Sequence, residues 1–196
     1  LAARWAGVPA AERPADLAAL VEDALFVTVT NVNFDADAVV AIIHRVLAAA
    51  GPQPDIALDA GAEALIAWAA ADGIATRQER LGEDATGLQE LLVYGLKGMA
   101  AYAHHARQMG RSDATVDAFT LEALAKLANG ETATDALLGL NLKCGEVSVN
   151  VLALLDKAHG DTFGSPVPTK ITVGHRPGKA ILISGHDMVD LKALLE

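Results

Sequence analysis

The chain has 196 residues, enough for one substantial domain or one and part of another. Hydrophobic residues make up 52% of it, but much of that is alanine and only 4% is aromatic, which suits closely packed helices. A formal net charge of −10 argues against nucleic acid and anionic membrane as partners, because both require clustered Lys and Arg.

The start, Leu1-Ala-Ala-Arg-Trp-Ala-Gly7, reads as the last turns of a helix and lacks the apolar core of a signal peptide. Pro14 and Asp16 open a short helix reaching about Leu25. Residues 26–32 are rich in Val and Thr and read as an extended link or a helix end. Asn33 or Asp35 caps a helix through Ala50, with Val39, Ile42, Ile43 and Val46 on its apolar face and Gly51-Pro52 as its stop. Residues 59–71 form a third helix, and residues 76–87 a polar loop or broken helix.

A longer helix is predicted over residues 88–109, with Leu88, Leu91, Leu92, Leu96, Met99, Tyr102 and Ala103 as its buried stripe. Gly95 and Gly98 inside it each cost about 1 kcal/mol relative to Ala, for which close contact with a neighbouring helix would compensate. Residues 115–128 form the next helix, stopped by Asn129-Gly130. Thr134 caps a long one over residues 135–158, closed by Gly160. No apolar run reaches the roughly 20 residues of a membrane span.

Ser165-Pro-Val-Pro168 is a linker, so the chain divides at about residue 165: a helical bundle domain over 1–165, then the beginning of an α/β domain over 166–196. Residues 170–173 read as a strand, Arg176-Pro-Gly178 as a turn and residues 180–183 as a strand buried on both faces. Asp187 caps a final helix on which Met188, Leu191 and Leu195 recur. The sheet begun here has too few strands to close, so both ends of the chain read as cut.

His186, in the turn after the second strand, is the leading candidate for chemistry, since open α/β sheets hold ligands at such turns and imidazole is a common iron or zinc ligand. The alternative is a turn histidine bonded to backbone. One histidine makes no metal site, and a cubane cluster needs about four thiolates, whereas Cys144 is the only cysteine. A single cysteine forms no internal disulfide, which fits a reducing cytoplasm. Cys144 itself reads as a small buried hydrophobe, with a thiolate ligand as the alternative.

His44, His104 and His105 lie on predicted helices and read as solvated or capping groups; adjacent histidines point about 100° apart and do not readily share one metal. His159 fits a helix C-terminus and His175 a turn. Gly174-His-Arg-Pro-Gly178 lacks the spacing and the Lys-Ser/Thr of a phosphate loop. The pairs Asp35/Asp37 and Glu83/Asp84 read as solvated caps.

Several segments together resemble the hybrid cluster protein (prismane) family of hydroxylamine reductases. They are Thr30-Asn-Val-Asn-Phe34, Tyr94-Gly-Leu-Lys-Gly98 with Ala101-Tyr102, Cys144-Gly-Glu146 leading to Ala153-Leu-Leu-Asp156, Pro168-Thr-Lys170 and Ile181-Leu-Ile-Ser-Gly-His-Asp187. They occur in the family's order, and the ordered set is more specific than any one segment.

The resemblance implies two three-helix bundles followed by Rossmann-like α/β domains. It implies a simple iron–sulfur cluster (4Fe-4S or 2Fe-2S) bound by an N-terminal cysteine motif, and a hybrid iron–sulfur–oxygen cluster for which His186 matches the histidine ligand. The implied activity is reduction of hydroxylamine to ammonia, with nitric oxide reduction or S-nitrosylation also proposed, and an electron donor as partner. The cysteine motif is absent here, and the family's glutamate and later cysteine ligands would fall beyond Glu196. The expectation is therefore one ligand of a larger site in a chain that assembles neither cluster alone. Two other readings are a non-catalytic helical scaffold and a carbon monoxide dehydrogenase relative.

Overall fold

The computed structural model describes residues 1–29, 34–51, 55–185 and 187–196. In chain order the helices are α1 Ala2–Trp5, α2 Leu17–Phe26, α3 Ala36–Ala50, α4 Ala62–Ala69, α5 Ile74–Leu81, α6 Glu83–Gln108, α7 Ala114–Ala128, α8 Thr134–Phe163 and α9 Met188–Leu195. The protein is mainly α, as the alanine-rich composition predicts.

The main core lies between α6, α7 and α8. Leu92, Leu96, Met99 and Ala103 of α6 meet Val116, Phe119 and Ala123 of α7 and Cys144, Val147 and Val151 of α8. Full burial of each large apolar side chain contributes about 1.5–3 kcal/mol. Asn141 Nδ2 donates to Leu88 O at 3.0 Å near the start of both long helices. Arg111 pairs with Asp161 at 2.7 Å near their ends. α6 and α8 therefore run parallel, with α7 returning between them. A smaller core joins α1 and α2 to α7 through Ala2, Leu17, Val21, Leu121 and Ala125. A third gathers Leu47, Ala60 and Leu65 around α3 and α4.

Caps are set by short acidic side chains. Asp35 accepts from the Asp37 amide at 2.9 Å and Asp113 from the Thr115 amide at 2.7 Å. Thr134 is not the cap of α8, which begins at Thr134 itself, and α8 runs past Gly160 to end where Gly164 turns with φ of 82°.

Two further expectations differ from the structure, and one open alternative is decided. Residues 76–87, read as a polar loop or broken helix, form a broken helix: α6 begins at Glu83, after Gly82 has ended the short helix α5. The apolar content of α5 is too low for a periodic signal, and it is held instead by Arg77, which bonds Gln89 at 3.1 Å and forms an ion pair with Glu90 of α6. Leu91 and Tyr102, assigned to the buried stripe of α6, are exposed, because the seven-residue stripe is wider than the side facing the core. The segments 170–173 and 180–183 form no strand and are exposed along their length. A strand needs a neighbour to receive its backbone N–H and C=O groups, and no described segment pairs with either.

α8 is also longer and more apolar than its residues suggested: by length and composition alone it could cross a membrane, with a mean hydropathy of 1.3 over its most apolar window. Leu137, Cys144, Val147, Val151 and Ala158 nevertheless put one of its faces in the helical interior.

Candidate functional site

His186 lies outside the described residues, as do Thr30–Asn33 of the first matching segment. Its described neighbours define the local backbone. Gly185 has φ of 133°, a conformation open to glycine and costly for other residues. Asp187 caps α9 as expected: its Oδ1 accepts from the amides of Val189 at 2.9 Å and Asp190 at 3.3 Å.

Asp187 also reaches the helical body. Its Oδ2 lies 3.3 Å from Nδ1 of His105, with both side chains about three-quarters shielded from water. His105 belongs to a cluster that sequence reasoning missed. Phe26, at the end of α2, stacks on His104 with ring centroids 4.6 Å apart and meets His105 edge-on at 5.4 Å. His104 Nδ1 bonds Asp23 at 3.1 Å and its Nε2 pairs with Gln108 at the same distance. Pointing about 100° apart on α6, the two adjacent histidines share Phe26 but reach different carboxylates, His104 that of Asp23 and His105 that of Asp187. The missed signal was Phe26 itself, an aromatic in a chain with few.

One turn further along α6, Arg107 grips Glu22 of α2 with two hydrogen bonds of 2.7 Å and touches Asp117 of α7 at 3.3 Å. Glu22 is buried, and its hydrogen bond holds the Arg107 guanidinium above its usual range. Burial, then the charge of Glu22, push the Asp117 carboxyl up to about 6, with Arg107 opposing them. Glu22 and Asp117 line a cleft of about 300 Å³ together with Ala10, Arg13 and Pro14. Nothing local in the sequence links residues 22 and 107, although Glu22 inside the apolar face of α2 marks a charge in need of a partner.

Cys144 sits at the crossing of α6 and α8. Its Sγ is 3.5 Å from Met99 Sδ, and burial pushes the thiol pKa up. This fits the small-hydrophobe reading. The remaining candidates do not converge. His44 Nε2 bonds Ala60 O at 2.8 Å, His159 packs near Phe163, and His175 is exposed. Asp35 is a cap, and Glu83 and Asp84 begin α6, where they favour the helix dipole.

Among the described residues no group of three His, Cys, Asp or Glu is placed to hold a metal ion. An iron–sulfur cluster needs several thiolates, and the one cysteine is a buried core residue whose thiol pKa is pushed up by burial. The described donors therefore do not fit such a cluster by themselves.

Comparison with known proteins bears on the whole chain. The chain is 50% identical over 195 residues to a protein named hydroxylamine reductase from Zymomonas mobilis, covering 92% of this chain and 36% of that protein. Hydroxylamine reductases of Rhodospirillum rubrum and Methanosarcina mazei are 45% and 41% identical, covering 92% and 90% of this chain. The chain thus spans little more than a third of the length of these relatives. The sequence profile of the Prismane/CO dehydrogenase family matches residues 2–196, and the chain belongs to that family.

Proposed function

We propose that the chain is the helical portion, with the start of an α/β domain, of an iron–sulfur oxidoreductase that reduces hydroxylamine to ammonia and water. The observation that carries this reading is the match along nearly the whole chain to relatives named hydroxylamine reductase. The finer parts of the proposal are two three-helix bundles, a Rossmann-like segment from residue 166, a cytoplasmic setting and a redox partner as electron donor. Reduction of nitric oxide or S-nitrosylation would be secondary activities.

His186 is proposed as the one ligand that this chain contributes to a hybrid cluster, the other ligands and the simple cluster belonging to the whole protein. Activity accordingly resides in the whole protein, and these 196 residues alone are proposed to be inactive. The exposed Leu91, Tyr94 and Tyr102 of α6 and Leu142 and Val149 of α8 support a larger assembly, because so many large apolar groups on one pair of helices favour a covering surface.

In the whole protein, His186→Ala is expected to lower bound iron and abolish hydroxylamine reduction. Wild-type iron content and turnover in that variant would overturn the ligand assignment. A whole protein that binds no iron would make the chain a scaffold, and one that oxidises carbon monoxide without reducing hydroxylamine would place it with the carbon monoxide dehydrogenases.

A further inference from the structure

Residues 164–185 are exposed throughout, and α9 buries none of its side chains. An eight-residue helix is marginal in water when nothing anchors it. Among the described residues, one ion pair or side-chain hydrogen bond joins residues 165–196 to the helical body, and it is the contact of Asp187 with His105.

We propose that Phe26, His104 and His105 form a seat on the helical body that receives Asp187 and so holds the terminal segment in place. The carboxylate serves two purposes with its two oxygens. Oδ1 closes the first turn of α9 while Oδ2 faces the imidazole of His105. The seat is made by residues of the helical body alone: the ring of Phe26 meets His105 at an interplanar angle of 74°, and His104 packs edge-on beside it with centroids 5.9 Å apart. His104 is itself anchored by Asp23, which also lies 3.6 Å from Arg45 of α3. The shielding of both partners makes this contact stronger than an exposed pair. The inference stands apart from the iron reading, since its groups lie among the described residues and its readout needs no metal.

The test is amide hydrogen exchange of residues 188–196 in the purified protein. His105→Ala removes the imidazole. Asp187→Ser keeps a helix cap but is too short to reach position 105. Both are expected to raise exchange in α9 by roughly tenfold while leaving α6 protected, and His105→Asn, which restores a donor near the Nδ1 position, should recover most of the protection. Unchanged exchange in Asp187→Ser overturns the proposal, whatever His105→Ala does to the body. So does loss of protection in Asp187→Ser that His105→Ala, with α6 intact, fails to reproduce.

Discussion

The Sγ of Cys144 fills the space that a side chain at position 95 would need: a Cβ built on Gly95 falls 2.7 Å from it. The glycine in α6 is thus matched to the thiol in α8, and their contact sets how closely the two parallel helices approach. Gly95→Ala should destabilise the protein by about 1–3 kcal/mol through overpacking. In the double variant with Cys144→Ala the two Cβ atoms would lie 3.9 Å apart, an ordinary contact, so the double variant should be more stable than the sum of its parts. Urea midpoints of the four proteins measure this coupling. Gly98 has no atom within 4 Å of an added Cβ, and Gly98→Ala should instead stabilise by about 1 kcal/mol.

Asp117 makes stability depend on pH in an uncommon direction. Its carboxyl titrates at about 6 in the folded chain against 3.8 ordinarily, so the folded state binds the proton more tightly than the unfolded state. Its contribution is therefore most favourable below the ordinary value and is lost as pH rises through about 6. Asp117→Asn imitates the protonated acid. It should be more stable than the parent at pH 8, with the difference vanishing near pH 4, as denaturant midpoints across that range will report.

Arg107 neutralises a buried carboxylate. Arg107→Met should cost about 2–4 kcal/mol, because it leaves Glu22 buried without a counter-charge. Adding Glu22→Gln to Arg107→Met should recover much of that loss. Thermal melting of the two variants checks both statements; equal stability of the single and double variants would mean that the charge is not the cause.

Thr86 presents the opposite case. Its hydroxyl is buried and has no hydrogen-bond partner among the described residues. Valine has nearly the same shape without the oxygen. Thr86→Val should stabilise by roughly 1 kcal/mol, read as a shift in the urea midpoint at constant slope.

Much of the helical order was legible because capping residues and apolar spacing are local signals. Asp35 and Asp187 mark helix starts in the sequence and perform that role in the structure. α5 was legible only as one of two alternatives, a polar loop or a broken helix, because Arg77 is held by Gln89 and Glu90 more than ten positions away and not by an apolar stripe. The strands at 170–173 and 180–183 were inferred from β-branched apolar runs, a signal that describes a buried environment and not a pairing partner. The histidine cluster escaped for a related reason: periodicity showed that His104 and His105 diverge, but not that Phe26 and Asp23 of α2 meet one and Asp187 the other.

The later half of α6 is tied at fixed angular positions to elements from opposite ends of the chain: Gly95 to Cys144, His104 to Asp23, His105 to Asp187 and Arg107 to Glu22. One inserted residue turns everything after it by about 100°, so a single insertion between Gly95 and His104 would misdirect three of these contacts together. Exposed positions in this stretch can change in chemistry, but their number cannot. The length of α6 between its glycine and its arginine is accordingly a stricter requirement than the identity of most residues within it.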